Sequence, residues 1–188
     1  NYEKSLGIKG KKNALSSSGY RKIQLNEMEV IANIGEIGPS YQPGHAHADT
    51  FSFCLNYKGK PIIVDTGTST YNIGKRRDLE RSTLSHNTVA YNGENSSEDW
   101  GGFRVADRVK VSILDEKKNC IIVSHDGYRK SNIIHQRKFD FNANSLLITD
   151  EMEGNVKKES FSSLHFHPDV SIDLRDNELI INEVLRLT

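Results

Sequence analysis

The chain has 188 residues, a length at which an all-β sandwich commonly remains a single domain. Lys and Arg number 25 and Asp and Glu number 25, so the formal net charge is zero, and the mean hydropathy is −0.59. These values argue against a globally basic nucleic-acid or membrane binder, and the lack of a run of about 18 apolar residues argues against a membrane-spanning helix.

The first segment, residues 1–18, is polar and contains two glycines and a run of three serines, which indicates a loose lead-in or linker. Residues 19–188 are expected to form one domain. Residues 28–34 resemble a strand. In residues 50–57 the aromatic and apolar side chains alternate with polar ones, which predicts a strand with Phe51, Phe53, Leu55 and Tyr57 on its inner face. Lys58 and Gly59 supply a turn before the β-branched run at 61–64.

The second half repeats this pattern of short apolar runs separated by Gly, Asn and Asp. Only residues 78–84 suggest a helical turn. A spacing of about ten residues per strand and turn is typical of antiparallel sandwiches and barrels. We therefore predict an all-β fold, a two-sheet antiparallel β-sandwich. Its later strands are expected at 105–114, 120–124, 133–141, 146–149, 160–166 and 179–181.

Candidate chemistry begins at His45 and His47, two histidines separated by one residue. In an extended backbone their side chains point the same way, so the pair suits one or two ligands of a metal ion. Asp65 and His86 follow, and two histidines with one aspartate make a three-ligand zinc site with an open fourth position. Asp65 also fits a turn after a strand, and His86 also fits a polar residue at the start of one.

Between Asp65 and His86 lies a charged segment, residues 71–81, which contains Tyr71, Arg76, Arg77 and Arg81. A solvated loop is the simplest interpretation. Arginine also pairs with carboxylate and sulfate through two parallel hydrogen bonds, so the segment equally suits an anionic sugar.

Three sequence motifs, GHAHADTFSF, GKPIIVDTGTSTY and RSTLSHNTVAYNG, occur in this order between residues 44 and 93. Together they resemble the C-terminal β-sandwich domain of the heparinase II/III-like polysaccharide lyases. A weaker likeness continues through residues 127–128, the strand around 135–137 and residues 147–150. The resemblance implies a sandwich domain from an enzyme that degrades acidic polysaccharides.

The resemblance also assigns roles to individual residues. It implies that His47, Asp65 and His86 bind a zinc ion that is structural rather than catalytic. It implies that His45 faces the substrate cleft and that Tyr71 lines the same cleft, and both are assigned as catalytic residues. It further implies substrate contacts, which are assigned to Arg76, Arg77, Arg81 and Asn87, with a structural role also open for Arg81.

The family's enzymes carry a helical toroid before the sandwich, and this toroid holds further catalytic residues. No such helical region is visible in the 188 residues, so the resemblance implies half of an active site, with the toroid as partner and inactivity of this chain alone. The implied reaction is β-elimination at a uronic acid of an acidic polysaccharide or oligosaccharide, such as a glycosaminoglycan or alginate. The resemblance also implies a periplasmic or secreted location in a bacterium, with no nucleic-acid partner and no membrane-spanning segment.

Other interpretations remain open. A cupin-type metal site would need a Glu three or four residues after His47, where Ala48 to Ser52 contain none. A non-catalytic carbohydrate-binding or structural sandwich module fits the same strands. His135 and Arg137 share a strand face and are candidates for the cleft, while Trp100 and Phe103 suit either stacking on sugars or packing.

Overall fold

The fold is that of a computed structural model, which describes residues 18–39, 41–176, 178–182 and 185–187. The predicted lead-in lies outside these residues apart from Ser18, and the turn expected at Asn177 lies outside them as well. Strands account for 50% and helices for 10% of the structure. The prediction of an all-β sandwich is therefore confirmed.

The first sheet has four antiparallel strands that follow one another in sequence: β1 (Tyr20–Leu25), β2 (Met28–Asn33), β3 (Phe53–Tyr57) and β4 (Lys60–Ile63). The turn between β3 and β4 consists of Lys58 and Gly59, both with positive φ (51° and 74°). Such a pair matches the twist of the flanking strands, which explains why two residues suffice for this hairpin.

Short elements connect the two main sheets. They are 3-10 turns at Pro43–His45 and Thr83–Ser85, helix α1 (Lys75–Arg81), strand β5 (Val89–Tyr91) and a hairpin of β6 (Glu98–Trp100) and β7 (Arg104–Ala106). Helix α1 begins earlier than the predicted turn. Among the described residues, no helix is long and apolar enough to cross a membrane.

The second main sheet has the spatial order β11–β10–β9–β8. Its strands are β8 (Val111–Lys117), β9 (Cys120–Tyr128), β10 (Ile133–Asn142) and β11 (Ser145–Gly154). A 3-10 turn, Arg129–Ser131, joins β9 to β10. The chain ends with β12 (Ser160–Ser162), which pairs with β5, and a small sheet of β13 (Ile172–Arg175), β14 (Glu178–Ile181) and β15 (Leu185–Leu187).

Several boundaries differ from the prediction: β9 and β11 extend to Tyr128 and Gly154, and β12 ends at Ser162 instead of residue 166. Two further differences have a backbone cause. Strand β3 begins at Phe53 because Phe51, although buried, takes a left-handed conformation (φ 67°). The strand expected over 105–114 is interrupted because Asp107 is also left-handed (φ 45°). Its carboxylate bonds to Arg129 and Lys130, which holds the kink in place.

The two sheets pack face to face through a shared apolar core. Phe53 of β3 and Phe139 of β10 meet edge to face, with ring centroids 6.2 Å apart, and both side chains are almost completely buried. Strand β10 alternates strictly between buried and partly exposed side chains along its length. This period of two is the expected result when one face of a strand covers a core.

Strand β10 also places polar side chains inside. His135 and Arg137 are fully buried, and the Arg137 guanidinium forms a double hydrogen bond with Asp150 of β11, with Nε–Oδ1 2.6 Å and Nη2–Oδ2 2.8 Å. Nη1 of Arg137 donates to the backbone carbonyls of Phe51 and Asn87 at 2.8 Å each. The predicted contact of this strand face with a cleft is therefore wrong, because both side chains are buried inside the sandwich.

His125 and His135 form a directional chain of hydrogen bonds. The Gly127 amide donates to Nδ1 of His125, so Nε2 of His125 must carry the proton donated to Nδ1 of His135 (2.9 Å). Nε2 of His135 then donates to Asp150 (2.7 Å). Burial, together with the positive charge of Arg137, lowers the pKa of both imidazoles below the ordinary value. Both rings are therefore neutral at pH 7.

We predict that Asp150→Asn lowers the free energy of unfolding by about 3–5 kcal/mol, because it leaves the buried Arg137 guanidinium without its counter-ion. The control is Asp140→Asn, which removes a partly exposed pair with Lys138 and should have a much smaller effect. Urea unfolding of both variants measures the difference. Equal effects would contradict the assigned importance of the buried pair.

We also predict that acidification destabilises the fold. His125 and His135 have depressed pKa values when folded, so below about pH 6.5 only the unfolded chain takes up their protons. Stability should therefore be complete above pH 6.5 and should fall as the pH decreases toward 5. Urea unfolding at several pH values measures this slope, and His125→Gln should flatten it. An unchanged slope in this variant would contradict the assignment.

Candidate functional site

The predicted metal-binding side chains lie together at one end of the sandwich. Nδ1 of His47 is 3.3 Å from Nε2 of His86, and Nδ1 of His86 is 2.7 Å from Oδ2 of Asp65. His47 lies in the loop after the 3-10 turn at 43–45, Asp65 follows β4, and His86 precedes β5. Three segments that are distant in sequence therefore meet at one point.

The arrangement assigns a proton to one nitrogen of His86. The Asp65 carboxylate accepts only, so Nδ1 of His86 donates to it and Nε2 presents a lone pair toward His47. Nη1 of Arg77, which can only donate, lies 3.3 Å from Nε2 of His47, so Nε2 accepts and Nδ1 of His47 carries the proton that it donates to Nε2 of His86. Loss of that proton would leave two imidazole nitrogens 3.3 Å apart, a separation that suits two ligands of one tetrahedral zinc ion at about 2.0–2.1 Å each.

Asp65 was predicted as a direct metal ligand, but its carboxylate contacts His86 instead. Its carboxylate bonds to the far nitrogen of His86, an arrangement that orients a metal-binding histidine from behind. Among the described residues, no group of three or more His, Cys, Asp or Glu side chains is arranged around a common metal position. The two histidines thus fit zinc in their chemistry and spacing, and the three-ligand site stays a prediction.

The pKa values of this group follow from its surroundings. Partial burial, followed by the nearby charges of His86 and Arg77, lowers the pKa of His47 to about 4, so this imidazole is neutral at pH 7. Burial by itself would raise the pKa of Asp65, but the hydrogen bond and charge of His86 hold it below its ordinary value. Burial raises the pKa of the neighbouring Asp49.

Arg77 connects the site to its supports. Its side chain is fully buried, with Nη1 3.0 Å from Thr68 and 3.3 Å from His47, while Nε and Nη2 donate to the carbonyls of Gly102 and Gly44. Within the described residues, no carboxylate lies within ion-pair distance of this guanidinium. Arg77 is therefore a buried cation without a counter-ion.

Three of the four predicted substrate-binding residues are structural supports. Arg81 is fully buried, donates to the carbonyls of Ala46 and Arg104, and lies 3.7 Å from Asp99. Arg77 and Asn87 are equally buried. Buried hydrogen-bonding groups of this kind fix loops, which gives all three a structural role, and their assignment as substrate-binding residues stays a prediction. Only Arg76 is exposed, and it pairs with Glu80 at 2.5 Å.

Asn87 shows the supporting role most clearly. Its amide nitrogen donates to the carbonyls of Phe53 and Val64, and its amide oxygen accepts from the backbone of His165. These bonds, of 2.8, 2.9 and 2.7 Å, connect β3, β4 and the segment after β12. The position of the adjacent His86 depends on them.

His45 has a different environment from His47. It is exposed, and its ring meets the Tyr71 ring edge to face with centroids 5.6 Å apart. The structure thus separates the two histidines, as expected, because the backbone turns through a 3-10 conformation at His45 instead of continuing as a strand. Tyr71 is 55% exposed, so both side chains are accessible from solvent.

A cavity of about 1040 Å³ opens beside the histidines. Its wall includes His45, His47, Asp49, Asp65 and His86, and its other side is formed by residues near β1 and β8, among them Tyr20 and Val111. The sequence interpretation missed Asp49 and Tyr20 as wall residues. The position of Asp49, two residues after His47, was the available signal, whereas nothing in the sequence linked Tyr20 to this site.

The family profile described as "Heparinase II/III-like, C-terminal" matches residues 8–186 of this chain. Among solved structures, a mutant heparan sulfate lyase HepC from Pedobacter heparinus is similar, with 21% identity, a TM-score of 0.67, and coverage of 95% of this chain and 29% of that one. A heparinase III has 22% identity, a TM-score of 0.63, and coverage of 90% and 25%. Our chain therefore spans less than a third of either. No curated protein sequence matches it.

We predict that Asn87→Ala destabilises the fold by at least about 2 kcal/mol, because two buried carbonyls and one amide lose their partner. Asn142→Ala is the matched control, since this exposed side-chain amide bonds only locally to Ser145. Thermal unfolding measures both variants. An Asn87 variant with wild-type stability would restore the substrate-binding interpretation.

Proposed function

Because the chain belongs to the heparinase II/III-like C-terminal family, we propose that it forms one wall of the substrate cleft in a polysaccharide lyase. The substrate would be a uronic-acid-containing acidic polysaccharide, cleaved by β-elimination. One observation carries the proposal: an exposed His45 at the mouth of a cavity, beside an exposed Tyr71 and a rigidly supported histidine pair.

The reaction makes specific demands on this wall. A base removes the C5 proton of the uronate, the electron pair forms the C4–C5 double bond, and the bond from C4 to the glycosidic oxygen breaks. That proton is weakly acidic, so positive charge or hydrogen-bond donors near the carboxylate are needed to stabilise the intermediate charge. A phenol or an imidazole then transfers the protons.

The residues of this chain suit parts of this task. His45 is exposed and free to donate to, or accept from, a bound sugar, and Tyr71 lies against it. The uncompensated charge of Arg77, 5.2 Å from the Tyr71 ring, favours negative charge on this side of the cleft. The remaining catalytic groups would come from a helical toroid elsewhere in the same protein, which makes this chain alone inactive.

Zinc fits the same scheme as a structural ion. His47 and His86 would hold it, with Asp65 orienting or joining them, and when bound it would crosslink the three loops. The proposal of structural zinc rests on the spacing of His47 and His86 and on no step of the reaction. A polymeric substrate of this class also favours a periplasmic or secreted location.

Activity is tested on the full-length protein with a panel of acidic polysaccharides that includes heparan sulfate, alginate and a neutral glucan as control. Elimination creates an unsaturated uronate, whose absorbance band measures the initial rate. We expect this band with at least one acidic polymer and none with the glucan. Binding of an acidic polymer without any absorbance change would instead favour a carbohydrate-binding module.

We predict different effects for substitutions of His45 and His47. His45→Ala should lower kcat by about 10²–10⁴-fold with little change in melting temperature, because its ring is exposed and contributes little packing. His47→Ala should lower the melting temperature and abolish the stabilisation that added zinc gives the wild type. His167→Ala, outside the site, is the control for both. Equal losses of stability with turnover retained in the His45 variant would contradict this division.

A further inference from the structure

Next to His45 lies a second feature, an exposed pair of aromatic rings. Tyr71 and Phe103 are nearly parallel, at an interplanar angle of 8° with centroids 6.5 Å apart. They are 55% and 38% exposed. We call these two rings the aromatic ledge.

The ledge is rigid because Arg77 supports it. The guanidinium carbon of Arg77 lies 5.2 Å from the Tyr71 centroid and 6.0 Å from the Phe103 centroid. Arg77 also bonds to the carbonyl of Gly102, next to Phe103, and to that of Gly44, next to His45. One buried side chain therefore lies against both rings and bonds to the backbone next to Phe103 and next to His45.

The charge near the ledge differs from that of the cavity. The cavity wall carries the carboxyl groups of Asp49, Asp65 and Glu36 and the guanidinium of Arg21. Behind the ledge lies the Arg77 cation, with no carboxylate within ion-pair distance among the described residues. A buried charge without a counter-ion is costly, and a bound anion would reduce that cost.

We propose that the aromatic ledge is a sugar subsite, on which a ring of an anionic polysaccharide stacks against Phe103 and Tyr71 beside His45. This rests on the proposed function for the identity of the polymer. Flat rings with an exposed face suit the apolar C–H face of a pyranose, and the field of Arg77 selects sugars that carry carboxylate or sulfate. The polymer then lies on the ledge beside His45.

Phe103 is the residue that distinguishes this subsite from mere packing. Phe103→Leu keeps an apolar side chain but removes the flat face, whereas Phe103→Trp keeps the face. Phe161→Leu is the matched control, because Phe161 is also half-exposed (50%) but lies on β12, away from both rings. All variants are compared with the wild type by thermal unfolding before any binding measurement.

The first measurement is the kinetics of the full-length protein on the acidic polymer that it cleaves best. We expect Phe103→Leu to raise KM about tenfold, with kcat changed less than twofold, because stacking holds substrate and transition state alike. Phe103→Trp should retain a KM near that of the wild type, and Phe161→Leu should be unaffected. An unchanged KM in Phe103→Leu, whether or not its melting temperature falls, would overturn the subsite and leave the lyase proposal intact.

The second measurement does not depend on turnover. A carboxyl-reduced heparan sulfate tetrasaccharide keeps its sulfates but lacks the uronate carboxylate that elimination requires. Calorimetric titration should give a Kd about tenfold weaker for Phe103→Leu than for the wild type, with Phe103→Trp restored. If the protein cleaves no acidic polymer, the lyase proposal fails, and this Kd alone decides the subsite: equal values for the Leu variant and the wild type, or no binding by either, would overturn it.

Discussion

The guanidinium of Arg137 is the interaction on which the site depends. It is buried in the second sheet, neutralised by Asp150, and its remaining N–H group holds the carbonyls of Phe51 and Asn87. Phe51 follows the loop of His47, and Asn87 follows His86. One buried side chain therefore bonds to the backbone of both histidine loops. Without it, these bonds would not fix the two loops relative to each other.

The site repeats the same principle closer to the surface. Arg77, Arg81 and Asn87 donate to backbone carbonyls instead of pointing outward, so loops without regular secondary structure acquire a fixed geometry. Each of these side chains replaces the backbone partner that a strand would have supplied. The residues left for contact with a ligand are consequently few: His45, Tyr71, Phe103 and the partly exposed wall of the cavity.

Sequence patterns predicted the parts of this structure that follow from local periodicity. Alternation identified the inner face of β3, and the Lys58–Gly59 turn was read correctly, because both depend on neighbouring residues alone. The three motifs identified the family, and the structure places His47 beside His86 and His86 beside Asp65, while the three-ligand site stays a prediction. The burial of Arg77, Arg81 and Asn87 was not predicted, because charge in a sequence indicates a solvated loop, and only the fold brings carbonyls to those donors. The left-handed Phe51 likewise has no signal in a β-rich segment.

The distances in sequence that Arg137 spans have a consequence for the order of folding. It bonds to residues 86 and 50 positions earlier in the chain, whereas the hairpins of both sheets pair neighbouring strands. Closing a long loop costs more conformational entropy than closing a hairpin and is therefore slower. We expect the sheets to form first and the histidine loops to pack onto them last. Pulse-labelled hydrogen exchange during refolding would show late protection of the Ala48 and Asn87 amides, which bond across these loops, relative to those of β10. The chemically important end of the molecule would then be the last to be assembled and the first to open.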